Sequence, residues 1–194
     1  MTFPPPVRAL RAAFVFLTRL QVGGFPYSAD DFRWSTAHFP IVGVVVGAIG
    51  AGVLGLALPL GPDLAALLAL CATVYCTGAF HEDGLADTLD ALGGAHSKKK
   101  VLEILKDSRI GTYGGAALVL SLTARFLALA SLTRHASVTP YGSVPASLLL
   151  LPTVHALARI GPVFLMRFLP YASEEGAKGA SVAEGGKTPQ LIVA

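Results

Sequence analysis

The chain has 194 residues, of which 53% are hydrophobic and only 14% are charged, and its mean hydropathy is +0.62. Because soluble domains carry about 25% charged residues, this composition predicts a polytopic membrane protein. The net charge of +3 is small, and no basic stripe interleaved with aromatic residues indicates nucleic-acid binding. Cys71 and Cys76 share one apolar run at a spacing that is not typical of a metal site.

The N-terminal segment is predicted to form an amphipathic helix that lies at the membrane interface. Its apolar stretch, residues 12–17, is too short for the core of a signal peptide, and Arg19 interrupts the chain directly after it. The first span is predicted at 39–60, which is uncharged and long enough to cross a hydrocarbon core of about 30 Å. Small residues recur there every four positions and predict close approach by another helix. They are Gly43, Gly47, Ala51 and Gly55.

Three further spans are predicted at about 64–80, 113–132 and 145–169. The polar segment 81–111 ends in a stretch with apolar residues on one face and lysines on the other, which predicts a second interfacial helix. The predicted fold class is therefore all-α: a polytopic integral membrane helical bundle with interfacial amphipathic helices, in a single domain over 1–194.

Lysine and arginine are unevenly distributed among the segments that join the predicted spans. The N-terminal segment and 81–111 are rich in both, whereas the turn 61–63 has neither, so both rich segments are predicted on the cytoplasmic side. The loop 133–144 is then predicted outside, and the loop 170–188 inside. The chain stops at QLIVA, which resembles the opening of another apolar span.

The stretch HEDGLADTLDAL, residues 81–92, places four acidic side chains directly after an apolar run. Asp83, Asp87 and Asp90 are spaced i, i+4 and i+7, which puts them on one face of a helix. Three like charges there repel one another unless a cation compensates them, and Mg²⁺ is held by one or two carboxylates plus substrate phosphates. The stretch predicts an Mg²⁺ site, with Glu82 as a fourth candidate ligand. The alternative is a solvated loop that marks the membrane boundary.

A second polar motif, KDSRIGTYGG, follows at residues 106–115. It combines an acceptor, a fork of donors, two hydroxyls and glycines that allow close backbone approach, which suits a phosphate-bearing ligand. It lacks the GxxxxGK[ST] pattern of a P-loop, and the alternative is a helix-entry turn for the third span. The candidate phosphate-binding residues are Asp107, Ser108, Arg109, Gly111, Thr112 and Gly114.

Two arginines, Arg125 and Arg159, fall inside predicted spans. Ionisable residues at such positions face the protein interior and mark a ligand path, and arginine suits phosphate, so both are candidate phosphate contacts. The alternative is snorkelling from a misplaced span boundary. His155 is interpreted as a packing histidine. The residues alone favour a membrane-embedded, metal-dependent transferase that acts on a pyrophosphate-linked substrate at the cytoplasmic face; a prenyltransferase-like enzyme and a transporter are alternatives.

HEDGLADTLDALGG followed by VLEILKDSRIGTYGG resembles the signature of the cobalamin synthase family, also called adenosylcobinamide-GDP ribazoletransferases. FLTRL (16–20), FPIVGVVVG (39–47), the segment around Arg159 and YASEEGAKG (171–179) are also similar to family segments. The resemblance covers essentially the whole chain. It implies an enzyme of the bacterial cytoplasmic (inner) membrane that joins adenosylcobinamide-GDP to α-ribazole or its 5′-phosphate, uses Mg²⁺ and releases GMP.

The resemblance also implies roles for the candidate residues. Asp83, Asp87 and Asp90 would hold Mg²⁺ on the pyrophosphate while the ribazole 3′-hydroxyl attacks phosphorus and GMP leaves. The candidate general bases are Asp90 and His81. The arginines would neutralise charge on the phosphoryl oxygens.

DGLADTLD also resembles, loosely, the Asp-rich motif of CDP-alcohol phosphotransferases, although Asp87 stands where those enzymes have arginine. A CDP-alcohol or prenyl-diphosphate transferase and a non-catalytic corrinoid-binding scaffold are therefore the alternative functions. Members of the cobalamin synthase family are usually longer, with further spans, so we expect the chain to be a fragment or a truncated form. A homo-oligomer or a corrinoid-assembly complex is a further expectation.

Overall fold

The computed structural model describes residues 6–23, 26–135, 146–172 and 180–184. Within these ranges every regular element is helical, which confirms the predicted all-α class. In chain order the helices are α1 (Pro6–Leu17), α2 (Ala29–Ser35), α3 (Phe39–Ala57), α4 (Pro62–Thr77), α5 (Phe80–Gly94), α6 (Lys98–Ile104), α7 (Thr112–Arg134), α8 (Ala146–Phe168) and α9 (Ala180–Ala183). Short 3-10 turns at Thr36–His38 and Leu58–Leu60 flank α3.

Three stretches of the described chain are long and apolar enough to cross a membrane: Ala29–Leu60, Thr112–Arg134 and Leu148–Phe168. Helices α4 and α5 pass the same test only as a pair, bent by 84°, so the number becomes four if the pair is one span. These helices confirm the prediction of a polytopic helical membrane protein. The second span ends earlier than predicted: α4 stops at Thr77, and Phe80 opens α5 instead of closing the span.

Helix α3 packs against both α8 and α4. Its contact with α8 is close because Gly43 and Gly47, two members of the predicted small-residue stripe, lie directly against the backbone of α8. A Cβ atom at Gly43 would collide with the carbonyl oxygen of His155, and one at Gly47 with that of Leu151. Gly50, which is outside the stripe, gives similar access to α4. Since apolar side chains gain little by leaving lipid, such backbone contact is what joins membrane helices, and the stripe prediction is confirmed for the α3–α8 pair.

Two residues in the left-handed region separate α4 from α5. Gly78 has φ 65° and Ala79 has φ 59°, and Ala79 is the only non-glycine residue of the described chain with positive φ. Arg19 packs against Gly78, donates its backbone N–H to the carbonyl oxygen of Cys76 at 2.8 Å, and places its guanidinium 5.5 Å from the ring centre of Tyr75. The bend directs α5 across the start of α7.

The N-terminal helix is docked on the bundle through its apolar face. Leu17 of α1 is buried in one cluster with Val46 of α3. On the polar side, Arg8 donates to Asp31 of α2 at 2.8 Å. The buried Asp31 carboxylate also accepts the backbone N–H of Ser28, the residue that caps α2. An amphipathic helix is therefore present where the sequence predicts one.

Some predictions fall on residues outside the described ranges. They concern most of the loops 133–144 and 170–188 and the terminal QLIVA. The predicted start of the fourth span at 145 also lies outside, although the helix is described from the next residue.

Candidate active site

The predicted acidic face lies on α5. This helix is continuous over Phe80–Gly94, so Asp83, Asp87 and Asp90 share one side of it, as their spacing requires. Asp83 is exposed, the other two are half-buried, and Asp87 lies within electrostatic reach of both neighbours. The stretch is therefore not a boundary loop. It presents three carboxylates on one helix face, an arrangement that favours a cation.

Asp90 joins α5 to the second polar motif. Its carboxylate accepts the backbone N–H of Gly111 at 2.7 Å through Oδ2 and that of Gly114 at 2.8 Å through Oδ1. Gly111 is the N-cap of α7 and Gly114 lies in its first turn, so the carboxylate satisfies two N–H groups that a helix start leaves unpaired. The helix dipole also favours negative charge there. The two motifs therefore form one structural unit, which we call the α5–α7 junction (Asp90, Gly111 and Gly114).

Close approach at the α5–α7 junction requires glycine. A Cβ atom at Gly111 would collide with the Asp90 carboxylate, and one at Gly114 would collide with that carboxylate and with a backbone carbonyl of α5. Gly93, in the last turn of α5, lies against the ring of Tyr113 in the same manner. The glycines that the sequence assigns to phosphate contact thus have a structural role first, because they admit Asp90 to the start of α7.

A pocket of about 510 Å³ opens beside the junction, lined by residues of both motifs. Asp107 and Arg109 lie in its wall, where the guanidinium donates to the carboxylate at 2.6 and 3.0 Å. Hydrogen bonding to Arg109 holds the pKa of the Asp107 carboxyl down at about 2, and the same contact raises the pKa of Arg109. Both side chains therefore stay charged at neutral pH. The Arg109 side chain is 87% exposed, so a soluble anion can reach it.

The remaining polar residues of the second motif are near the same pocket. Thr112 lines it, and Ser108 is exposed on the loop that leads to it. Their hydroxyls are positioned by the loop between α6 and α7. The loop begins with a turn in which the Asp107 N–H donates to the carbonyl oxygen of Ile104 at 3.0 Å, and it ends at the junction.

Among the described residues, no three His, Cys, Asp or Glu side chains are close enough to form a complete metal site. Mg²⁺ does not require one, because it keeps several waters and is held by one or two carboxylates plus substrate phosphates. Asp83 and Asp87, one helical turn apart, provide such a pair of oxygen ligands. The oxygens of Asp90 already accept one N–H each. The donor set therefore fits Mg²⁺ in company with a phosphate ligand.

Glu82 points away from the three aspartates and belongs to a second polar cluster. Its buried carboxylate accepts a hydrogen bond from Arg125 of α7 at 2.5 Å. Arg159 of α8 is only 4% exposed and donates to the carbonyl oxygen of His155 at 2.9 Å. These residues and His81 line a cavity of about 270 Å³ between α4, α5, α7 and α8, which we call the arginine cavity.

The structure thus divides the predicted site residues between the two ends of α5. Asp90 and the second motif meet at the C-terminal end, whereas His81, Glu82, Arg125 and Arg159 meet at the N-terminal end. The two candidate general bases, Asp90 and His81, consequently face different cavities.

Two residues that position α5 were not predicted from the sequence as part of the site. Arg19 supports the bend before α5, and Tyr113 packs on Gly93 to fix the end of that helix. The FLTRL likeness marks the neighbourhood of Arg19, but its partner lies about 60 residues further on, beyond the reach of any local pattern.

Fold and site together define a class: a multi-pass helical membrane protein whose acidic helix and glycine-rich helix start enclose one polar pocket. The chain belongs to the cobalamin-5-phosphate synthase family, whose sequence model matches residues 9–194. This match confirms the resemblance drawn from the two central motifs.

Several relatives are named adenosylcobinamide-GDP ribazoletransferase. The protein of Bradyrhizobium diazoefficiens is 42% identical over 188 residues, covering 95% of this chain and 69% of its own length. That of Leptothrix cholodnii is 42% identical over 175 residues, covering 89% and 64%. That of a Polaromonas species is 37% identical over 210 residues, covering 97% and 73%. The chain therefore spans about two thirds of the length of the curated relatives it matches. No solved structure matches it.

Proposed function

We propose that the protein is a membrane transferase that moves the adenosylcobinamide-phosphate group of adenosylcobinamide-GDP to α-ribazole or its 5′-phosphate and releases GMP. The names of its relatives support this reaction. The single observation that carries it is the pair of N–H bonds from Gly111 and Gly114 to Asp90. Through these bonds the carboxylate face of α5 and the pocket of Arg109 share one site, so a pyrophosphate can contact both.

Asp83 and Asp87 are the proposed Mg²⁺ ligands. Their carboxylates suit a hard cation and leave room for waters and phosphate oxygens. Bound there, Mg²⁺ would neutralise charge on the pyrophosphate oxygens. The part played by the protein is to hold the two carboxylates one turn apart on a helix whose far end is fixed by the α5–α7 junction.

Arg109 is the proposed phosphate contact in the pocket. Asp107 orients its guanidinium through two short hydrogen bonds and leaves the exposed side of the fork for a ligand. The positive end of the α7 dipole is compensated by the Asp90 carboxylate, so the attraction for phosphate comes from Arg109. Thr112 offers a hydroxyl at the same place.

The proposed reaction exchanges one phosphorus–oxygen bond for another. The ribazole 3′-hydroxyl oxygen bonds to the phosphorus next to the aminopropanol linker. The bond from that phosphorus to the bridging oxygen breaks, and GMP leaves with the electron pair. The hydroxyl proton passes to a general base. Asp90 is better placed than His81 for this step, because it lies in the pocket of Arg109 whereas His81 lines the arginine cavity.

The proposed location is the bacterial cytoplasmic membrane, with the active site facing the cytoplasm. The apolar helices support a membrane location. The basic residues of the segment 81–111 support the orientation, since cytoplasmic segments are enriched in lysine and arginine. They are Lys98, Lys99, Lys100, Lys106 and Arg109.

A GMP-release assay tests the proposal. The full-length protein purified in detergent should release GMP from adenosylcobinamide-GDP when α-ribazole 5′-phosphate and Mg²⁺ are present, and EDTA should stop the release. No GMP under these conditions would overturn it. CMP release from a CDP-alcohol, without response to cobinamide substrates, would point to the CDP-alcohol alternative. Corrinoid binding without turnover would point to a scaffold.

A further inference from the structure

The arginine cavity has no part in the reaction proposed above. Arg125 follows the first residue of α7 by 13 positions, about 20 Å along the helix, so it lies deep in a stretch that is apolar enough to span a membrane. Arg159 occupies the same depth in α8. Charged side chains at such depth are costly, and they face one another or a ligand path. Each therefore needs a partner, which can be an opposite charge, a backbone carbonyl or a ligand.

The cavity carries one positive charge more than it compensates. Its charged lining residues within the described chain are Arg125, Arg159 and Glu82, so two guanidiniums face one carboxylate. Glu82 is bonded to Arg125 and acts on Arg159 only through space. The remaining ionisable lining groups are the imidazoles of His81 and His155, which supply no negative charge. The cavity is consequently complementary to a single anion.

Unused hydrogen-bonding atoms point to the same conclusion. Arg159 is 4% exposed, and its Nη1 donates to His155, yet its Nε has no hydrogen-bond partner among the described residues. The second carboxylate oxygen of the buried Glu82 also lacks one, but it needs a donor and therefore does not itself call for an anion. A buried donor without a partner is costly, more so when it is charged, so such atoms normally have a protein, water or ligand partner. An anion with oxygen acceptors would satisfy Nε and the excess charge together.

We propose that the arginine cavity is an anion site that binds one phosphate group, separate from the pocket at the α5–α7 junction. Its volume of about 270 Å³ is just below that of ordinary small-molecule pockets, about 300–1,000 Å³, which suits a phosphate rather than a nucleotide or a corrinoid. The phosphate can belong to a lipid headgroup or to a soluble phosphate ester. Arg159 is the principal contact, and Glu82 limits the affinity.

Binding can be measured without turnover, so this site and the transferase activity can fail independently. The full-length protein, purified in the phosphate-free detergent dodecyl maltoside, is titrated with inorganic phosphate in a calorimeter. Arg159→Gln removes the excess charge and should weaken phosphate binding about tenfold or more, since each charge acts here in a low-dielectric interior. Glu82→Gln raises the excess charge and should strengthen binding by a similar factor. A folding defect would weaken both.

Two further variants serve as controls for the net charge of the cavity and for the loss of an arginine elsewhere. The double variant Glu82→Gln/Arg125→Gln retains one excess positive charge and should bind phosphate within about threefold of the unaltered protein, because the net charge that sets the affinity is unchanged. Arg134→Gln, which removes an arginine paired with Asp63 at the far end of α7, should not alter binding. Equal weakening by Arg159→Gln and Glu82→Gln, or no binding to the unaltered protein, would overturn the proposal.

The source of the phosphate is distinguished by competition. Short-chain phosphatidylglycerol that displaces inorganic phosphate and shows the same ranking of variants identifies a lipid site. Ribose 5-phosphate that does so, where the lipid does not, identifies a soluble phosphate ester. Either result supports a phosphate site, and failure of both to compete overturns it. GMP release, measured on the same preparations, reports separately on the proposed transferase.

Discussion

At the C-terminal end of α5 the half-buried Asp90 carboxylate is held by two backbone N–H groups of α7, whereas at the N-terminal end the buried Glu82 carboxylate is held by the guanidinium of Arg125. Backbone donors are fixed by the helix that contains them, so the first arrangement is rigid and leaves the neighbouring pocket open for chemistry. The second joins side chains from separate spans and retains an uncompensated arginine. One helix therefore presents an assembled, solvent-reaching site at one end and a buried, incompletely paired one at the other.

The largest expected effect concerns Asp83 and Asp87, the two proposed metal ligands on α5. Asp83→Asn and Asp87→Asn should each lower GMP release about 100-fold or more, because each is a proposed metal ligand whose loss would remove several kcal/mol of transition-state stabilisation. Glu103→Gln is the control, since Glu103 is an exposed acid of α6 that pairs with Lys100. Near-normal turnover in both aspartate variants would show that the carboxylate face of α5 does not hold the metal.

The rigidity of the junction can be broken by one methyl group. Gly114→Ala brings a Cβ atom into the Asp90 carboxylate, so we expect a loss of about 1–3 kcal/mol in the free energy of unfolding. GMP release should fall about tenfold through misplacement of α5. Gly115→Ala is the matched control, because its Cβ atom would lie at an ordinary 3.8 Å from Ile110. Equal behaviour of the two alanine variants in urea unfolding and turnover would contradict a tightly fitted junction.

Breaking the Glu82–Arg125 pair at the N-terminal end of α5 should lower the stability of the fold. Glu82→Gln leaves the Arg125 guanidinium without its counter-ion and should lower the free energy of unfolding by about 1–3 kcal/mol, less than for a fully buried pair because the Arg125 side chain is 38% exposed. Adding Arg125→Gln should restore part of the loss. Denaturant unfolding in detergent measures both. If the double variant is no more stable than the single one, the two residues do not act as a pair.

The smallest effect is a titration at the pocket wall. Asp107 should titrate near pH 2, because Arg109 favours its charged form. Its ion pair thus contributes fully above the ordinary carboxyl pKa of 3.8 and is lost as the pH falls through about 2. Arg109→Gln should move the titration back towards the ordinary value, as carboxyl-carbon NMR of the labelled protein would show. An unchanged titration would mean that Arg109 is not held by Asp107 and is free to turn elsewhere.

Local periodicity predicts several features correctly. The i, i+4, i+7 spacing places Asp83, Asp87 and Asp90 on one helix face, and small residues at intervals of four place Gly43 and Gly47 at a helix contact. Both features depend only on how a helix repeats, which the sequence displays directly. The pairing of the two central motifs also follows from the sequence, as family likeness, although not from any physical pattern between them.

Local periodicity does not predict which residues of different helices contact one another. Glu82 is adjacent to Asp83 in sequence and is grouped with it on that ground, yet consecutive helical residues are turned by about 100°, and Glu82 meets Arg125 instead. The bend at Gly78 and Ala79 also escapes prediction, because Ala79 is an unexpected residue for a left-handed conformation.

The sequence by itself determined the helical class, the apolar spans, the acidic face and the family. Only the tertiary structure decided that Asp90 closes onto the start of α7 and that Arg159 lies beside Glu82 in a separate cavity. The physical reason is that helix formation is governed by residues within one or two turns. The meeting of helices depends instead on glycines that admit a neighbouring backbone and on a bend that redirects one helix across another.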